Sequence, residues 1–362
     1  MTLTKLEIFR LRNIEHAAVN PGPHLNLLIG ENGSGKTSGL EAIHLLSRAR
    51  SLRTAHLSQL IQFGETDALV TGVVLGEGRG TGTRLGVRVS RQHREMHIDG
   101  QALLARADLL RTFPVQVIQP SSILLLEGSP RVRRQFLDWG TFHVEHTYLD
   151  DWRRFAKALN QRNAVLKCGR PSDIEPWNHE VARYGTIVAE ARKRYLDRLT
   201  PHLEDTLRAF FGGGATNVAC LAGWKAGRLL LDVLQEDAAE DIRLGYTRSG
   251  PHRGDFVVTI NGSPAKTYLS RGQTKLLVYA LLLAQTSLLA ADGCSVCVLI
   301  DDLASELDRR NRARLLELLL RRRAQCFITA VHPDDLQCPS AEDTMMFHVE
   351  HGRISEGSWN LS

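Results

Sequence analysis

Apolar and polar positions along the chain fall into two periods. Near the N-terminus, KLEIFRL at 5–11 and LNLLI at 25–29 read as strands on either side of a turn at Pro21-Gly22-Pro23. The second strand runs into the glycine-rich stretch Gly30–Thr37, and Gly39–Leu46 then carries a helix-compatible pattern. Residues 68–75 and 83–90 predict two further strands joined by glycine-rich turns, and FPVQVIQ at 113–119 predicts another. From about Arg131 to Phe211 the period becomes helical. Two long helical stretches are expected there, antiparallel and each open to interruption, on either side of Gly169-Arg170-Pro171-Ser172. Trp139, Phe142, Trp152, Phe155, Trp177 and Tyr184 read as packing residues of these helices. Gly212-Gly213-Gly214 closes the region.

Strand-like segments follow at 216–221, 228–233 and 241–246, then the polar turn RSGPHRGD at 248–255 and a strand over Phe256–Ile260. Residues 268–290 open on a glycine turn and continue as a strongly apolar helix. VCVLIDD at 296–302 is a hydrophobic strand ending in paired carboxylates, and ASELDRRNRARLLELLLRRR reads as another helix. CFITA at 326–330 predicts a core strand, and the end of the chain a hairpin around His351-Gly352. Strands alternating with helices make this an α/β chain with additional β elements. Three parts are expected: 1–130, a helical arm over 131–211, and 212–362.

Composition narrows the function classes only modestly. The 362 residues can bury one large core or two smaller ones, with 43% hydrophobic and 23% charged residues. A formal charge of +5 is compatible with nucleic-acid binding. No apolar run is expected to be long enough for a membrane helix. The N-terminal stretch alternates like a strand and does not resemble a secretory signal. The cysteines are Cys168, Cys220, Cys294, Cys297, Cys326 and Cys338. Cys294 and Cys297 have metal-ligand spacing, but no second pair completes a site, and Cys297 enters an apolar strand. A buried core role and a reducing cytoplasm are expected.

The chemistry concentrates in a few places. GENGSGKT, between a strand and a helix, is a phosphate-binding loop. Gly30, Gly33 and Gly35 allow the tight turn, so that backbone N–H groups face phosphates. Glu31, Asn32, Ser34 and Ser38 complete the nucleotide-binding stretch. Lys36 reaches the β- and γ-phosphates, and Thr37 offers a hydroxyl to Mg²⁺. Asp301 can hold Mg²⁺ and Asp302 can orient the attacking water. Ser270, Gly272 and Gln273 open the apolar helix, where a hydroxyl, a side-chain-free backbone and a positive helix end suit a phosphate. Gln119, with Gln116 as its competitor, is a candidate for Mg²⁺ or the attacking water. Arg48, Arg50 and Arg53 form either a phosphate contact or a solvated basic loop. Arg84 and Arg88 share a strand face with Arg91 and Arg94 nearby, a candidate nucleic-acid surface, whereas His93 and His97 read as surface or structural groups. Arg153-Arg154 and Arg192-Lys193-Arg194 are basic groups on the helical arm. Arg248, His252 and Arg253 could contact phosphate or transmit state between lobes.

LSRGQ at 269–273, the Asp301-Asp302 strand and SELD at 305–308 together resemble the signature loop, Walker B strand and D-loop of ABC-type ATPases. That resemblance implies a head-to-tail homodimer in which Ser270 of one subunit completes the site of the other, with Asp308 in the D-loop. It narrows to the RecF family of bacterial DNA replication and repair ATPases. The carriers are GENGSGKT, LEAIHLLSRARSLR at 40–53, EGSPRVRRQFLDWGTFH at 127–143, SGPHRGD at 249–255, YLSRGQTKLL at 268–277 and LIDDLASELD at 299–308. The resemblance implies an SMC-like P-loop ATPase head with a helical second lobe. It implies ATP and Mg²⁺ as cofactors, with slow hydrolysis stimulated by DNA. It further implies binding to double-stranded and gapped DNA in the cytoplasm without a membrane. Cooperation with RecR, and indirectly RecO, in loading recombinase and a link to the SOS response follow from it too. The sequence departs from the family pattern in three places. Ser38-Gly39 follows GKT where asparagine is common; Asp302 stands where related ATPases carry glutamate; and His332 lies two positions beyond the usual switch histidine. Gly39 should weaken its helix by about 1 kcal/mol relative to alanine unless close packing requires it. A transporter-type ATPase subunit and a DNA-binding scaffold with a vestigial nucleotide site are the alternative readings.

Overall fold

Leu25–Ile29 is buried at every position, so both of its faces must be covered. The computed structural model describes residues 1–76, 81–168, 173–213, 215–322, 324–336 and 344–357. It places this strand inside a six-stranded sheet, in the order Arg353–Gly357, Thr344–Glu350, Leu25–Ile29, Cys326–Ala330, Cys297–Ile300 and Val115–Ile118. All adjacent strands are parallel except the first pair. Ile29 registers with Ala330, and Ile300 with Ile328 and Ile118. The strand ends that release Gly30, Asp301 and Gln119 therefore share one edge, where ligands collect in parallel sheets.

A second, antiparallel six-stranded sheet runs Ile14–Val19, Thr2–Leu11, Asp67–Leu75, Thr83–Ser90, Arg94–Ile98 and Gln101–Ala102. Its alternation is regular. Ala68, Val70 and Val74 point inward with Leu85, Val87 and Val89, while Arg84 and Arg88 point outward. The helix Lys36–Arg48 packs on strands of both sheets, and every residue from Ser38 to Ser47 is buried. Three of its buried polar side chains find partners: Glu41 in Arg12 at 2.8 Å, His44 in the Arg50 carbonyl at 2.9 Å, and Ser47 in the Phe113 carbonyl at 2.6 Å. A Cβ on Gly39 would stand 2.8 Å from Leu28 Cδ2, so close helix–strand packing explains this glycine. The strands Ile14–Val19 and Arg94–Ile98 are additions to the expected elements.

The chain divides into two compact units, Met1–Ser121 with Gly293–Ser362, and Ser122–Asp292. The expected boundaries differ: 212–292 groups with the helical arm. The helix Arg271–Ala291 packs on Pro130–Val144 and Glu175–Phe211, and Thr216–Leu221 also packs on the latter. The first helical stretch is two helices, Pro130–Val144 and Tyr148–Cys168, whereas the second is one helix, Glu175–Phe211, with Pro201 inside it. The break expected at 169–172 and the end of the glycine run at Gly214 lie outside the described residues.

Segments 228–233 and 241–246 are not strands. Leu230–Glu236 and Ala238–Leu244 are short helices, because Leu230 and Leu234, one turn apart, both bury in the helical core. Phe155 is buried there, and Phe142, Trp177 and Tyr184 pack against it, but Trp152 remains 39% exposed. Arg271–Ala291 departs from the expectation of no membrane-length run. It is long and apolar enough to cross a membrane by length and composition, yet its apolar stretch is 78% buried within the protein, as a core helix. The segment after Asp302 breaks into Leu303–Glu306 and Arg309–Arg321. Cys297 and Cys326 are core thiols, Cys168 is exposed, and Cys338 lies outside the described residues. Among the described residues no metal-binding cluster forms.

Candidate nucleotide-binding site

The phosphate loop is shaped by what cannot fit. A Cβ at Gly30 would collide with the Val349 carbonyl, and Gly33 and Gly35 have φ of 82° and 121°. The Ser34 carbonyl accepts from Gly352 N at 2.7 Å and Asn13 Nδ2 at 3.0 Å, which fixes the loop to neighbouring elements. Lys36 begins the helix and folds back, its Nζ donating to the carbonyls of Gly30 at 2.6 Å and Glu31 at 2.8 Å. Burial lowers its pKa, opposed by the nearby Asp302, Asp301 and Glu31 carboxylates.

On the adjoining strand ends, Thr37 Oγ1 donates to Asp301 Oδ1 at 3.1 Å. Thr329 Oγ1 donates to the same oxygen at 2.8 Å and accepts from Asp302 N at 2.8 Å. Ser305 Oγ donates to Asp302 Oδ1 at 2.9 Å. The loop and carboxylates open on a cleft of 660 Å³, lined also by Arg12, Asn13, Asn32, Ser38, Arg53, Gln59, Ile61 and Pro120. A flexible ammonium, a row of loop amides and a helix N-terminus suit a polyphosphate. The Thr37 hydroxyl beside the Asp301 carboxylate is a hard-oxygen donor set suited to Mg²⁺.

In the second unit, Ser270 is the N-cap of Arg271–Ala291. Its hydroxyl accepts from Gln273 N at 3.4 Å, and Gln273 Oε1 accepts from Ser270 N at 3.0 Å. Ser270, Gly272 and Gln273 are all exposed, and a Cβ on Gly272 would meet nothing within 4 Å. Among the described residues nothing requires glycine there.

The RecF/RecN/SMC N-terminal domain model matches residues 2–355. The DNA replication and repair protein RecF of Pseudomonas aeruginosa strain LESB58 is 42% identical over 362 residues, which cover 98% of each chain. The chain belongs to the RecF family. RecF of Stutzerimonas stutzeri strain A1501 is 40% identical, again over 98% of each chain. The solved structure of the recombination mediator protein RecF-ATP in the RecFOR pathway superposes with TM-score 0.87 at 25% identity, covering 99% of this chain and 98% of the other. An Smc head bound to the C-winged helix domain of ScpA shares the fold, with TM-score 0.63 at 14% identity over 100% of this chain and 98% of that one. The protein is thus a RecF-family, SMC-like P-loop ATPase with a helical lobe.

Not every residue expected at the site of this RecF-family chain is in the cleft. Gly30, Glu31 and Ser34 shape the loop without lining the cleft, and Ser38 Oγ donates to Asn13 Oδ1 at 2.9 Å. Of the three early arginines, Arg53 lines the cleft and Arg50 is exposed elsewhere. Arg48 is neither a phosphate contact nor part of a solvated loop. Its guanidinium turns inward to the Val115 carbonyl at 2.9 Å, and burial lowers its pKa to about 10. Gln116 is buried, while Gln119 donates to Ser121 Oγ at 2.8 Å beside cleft-lining Pro120. Asp308 caps the helix Arg309–Arg321, accepting from Asn311 N at 2.9 Å; this bond holds its pKa below the usual carboxylate range. His332 donates its backbone N–H to Asp335 Oδ2 at 3.1 Å and does not line the cleft.

The basic groups divide similarly. Arg84, Arg88, Arg91 and Arg94 are exposed, but Arg88 stands 3.5 Å from Asp67 and Arg94 donates to the Ala49 carbonyl at 3.3 Å. On the helical arm Arg153 pairs with Asp150, Arg154 lies 5.7 Å from the Tyr184 ring centre, and Arg194 pairs with Glu145. Arg192 is not a surface group: it is buried against Asp138 at 2.6 Å and the Pro251 carbonyl at 2.7 Å. Within RSGPHRGD, Arg248 pairs with Asp237 and Asp255 with Arg133, and burial lowers the pKa of His252 to about 4. Only Arg253 of that string's basic groups is exposed, over the Tyr246 ring at 5.2 Å. Arg12, Asn13, Gln59, Ile61 and Thr329 were not signalled by the motifs; pairing between distant segments brings them to the cleft.

Proposed function

We propose that this protein is an ATP-dependent DNA-binding protein of recombinational gap repair, in which ATP closes a homodimer into a clamp on duplex DNA. The observation that carries this reading is the split machinery. The Lys36–Asp301 cleft lies in one unit, while the capped and exposed helix start at Ser270 lies in the other. A second copy would present its Ser270, Gly272 and Gln273 to the phosphates held by the first. Lys36 would bind the phosphates, Thr37 and Asp301 would hold Mg²⁺, and Asp302 would orient the attacking water. The metal supplies charge neutralisation at the phosphates when bound. Asp302, one methylene shorter than glutamate, supports slow turnover and a switching role for hydrolysis.

DNA would be gripped through its phosphates by exposed arginines such as Arg84 and Arg91, so binding should weaken with salt. The relative described as a recombination mediator in the RecFOR pathway supports cooperation with RecR, indirectly RecO, and a recombinase at gapped DNA in the cytoplasm. The intact Lys36, Thr37, Asp301 and Asp302 set weighs against a vestigial site. The test is nucleotide binding and sedimentation of the wild type, Lys36→Ala and Asp302→Asn. Lys36→Ala should lose triphosphate binding and ATP-dependent dimerisation; Asp302→Asn should bind ATP but slow single-turnover hydrolysis. Unchanged dimerisation in Lys36→Ala would sink the gating model.

A further inference from the structure

One hydroxyl touches both acidic residues at the floor of the cleft. Thr329 is the penultimate residue of the Cys326–Ala330 strand and is 1% exposed. Pairing of Ile300 with Ile328 brings it level with Asp301. Its Oγ1–H donates to Asp301 Oδ1 at 2.8 Å, and its lone pair accepts Asp302 N–H at 2.8 Å. A hydroxyl has one proton, so the carboxylate takes the proton and the amide takes the lone pair; the polarity of both bonds is fixed.

The second bond falls where the backbone needs support. Asp302 has φ 55° and ψ 46°, a left-handed conformation that a non-glycine residue keeps only when its surroundings enforce it. Thr329 holds its amide, and Ser305 Oγ holds its carboxylate at 2.9 Å. Thr37 contacts Asp301 Oδ1 at 3.1 Å and would turn its hydroxyl toward a bound cation, leaving Thr329 to hold the carboxylate.

We infer that Thr329 is a positioning residue that aligns the two carboxylates as one unit, Asp301 toward the metal and Asp302 into the cleft. This rests on the ATP–Mg²⁺ reading above. Valine at 329 preserves shape and strand preference but deletes both bonds; serine keeps the hydroxyl.

The test compares full-length wild type, Thr329→Val, Thr329→Ser and Thr329→Ala. The readouts are Mg²⁺ dependence of binding to a fluorescent ATP analogue, single-turnover hydrolysis, and the urea midpoint. Thr329→Val and Thr329→Ala should raise the Mg²⁺ concentration for half-saturation and slow turnover, each by about 10- to 100-fold, the range for residues that orient metal ligands. Nucleotide binding without Mg²⁺ should stay unchanged, and Thr329→Ser should restore both readouts. Wild-type Mg²⁺ dependence in Thr329→Val, or a Thr329→Ser defect equal to that of Thr329→Val, would overturn the inference. Absence of Mg²⁺-dependent nucleotide binding in the wild type would instead overturn the ATP–Mg²⁺ reading and this inference with it.

Discussion

Arg12 Nε stands 2.8 Å from Glu41 Oε2, and Glu41 is wholly buried in the helix that Lys36 begins. The same carboxylate accepts Leu52 N–H at 3.1 Å and a hydrogen bond from Ser51, while Arg12 Nη1 reaches the Gln59 carbonyl at 2.7 Å. One buried acid therefore ties the nucleotide helix to two stretches of the cleft wall. Burial alone would raise its pKa, but hydrogen bonds from Arg12 and Ser51 more than offset it and the net shift is downward. Glu41→Ala should destabilise the fold by about 3 kcal/mol, the lower end for breaking a buried ion pair, because Arg12 keeps partial access to water. The urea midpoint measures it. A change near zero would show that the network is dispensable.

Ser270 caps its helix and is proposed to complete the nucleotide site of a second copy. As an N-cap, its replacement by alanine should reduce stability by about 1 kcal/mol, whereas Ser270→Gly should differ by only a few tenths. Nucleotide binding by the monomer should survive both changes, and ATP-dependent dimerisation should fail in both. Gly272→Ala is the companion: no neighbour obstructs a Cβ, so the fold should tolerate it, while closure against a second copy should weaken. Urea titration, fluorescent-nucleotide binding and sedimentation separate these effects. Loss of monomer binding in Ser270→Gly would place the serine in its own subunit's site.

Acid should loosen the first unit through His44. Burial and the adjacent Arg48 charge lower its pKa from 6.5 to about 3. The folded state thus favours the neutral ring. This contribution is fully present above pH 6.5 and is lost as pH falls from 6.5 toward 3, by about 1.4 kcal/mol per pH unit. His44→Gln should flatten that part of the stability profile relative to wild type. Glu41, with its lowered pKa, adds its loss only as pH falls below the ordinary value of 4.5. His252, also lowered, contributes to both proteins, so the difference between their urea midpoints from pH 7 to pH 5 isolates the His44 effect; parallel profiles for the two proteins would refute it.

Local chemistry made the phosphate loop and the Asp301 strand legible, because a glycine turn, a lysine and a strand ending in carboxylates are contiguous in sequence. The parallel register then places their ends on one edge. The cleft wall was less legible. Arg12 N bonds Leu60 O at 2.7 Å, and Asn13 and Thr329 reach the site from segments far apart in the chain. Arginine is usually solvated or bound to an anion, so sequence alone does not mark Arg48 and Arg192 as buried; their acceptors, Val115 O and Asp138 among them, are remote in sequence. The segments at 228–233 and 241–246 carry short apolar runs, whose period does not separate strand from helix. Gly39 looked unfavourable for a helix until the nearby Leu28 side chain explained it.

ATP is proposed to close two copies of this chain around DNA. Sedimentation of the wild type on duplex DNA with ATP, with ADP and without nucleotide tests it most directly. A DNA-bound dimer is expected with ATP alone, diminished by salt as phosphate contacts require. Equal binding of a monomer under all three conditions would contradict it.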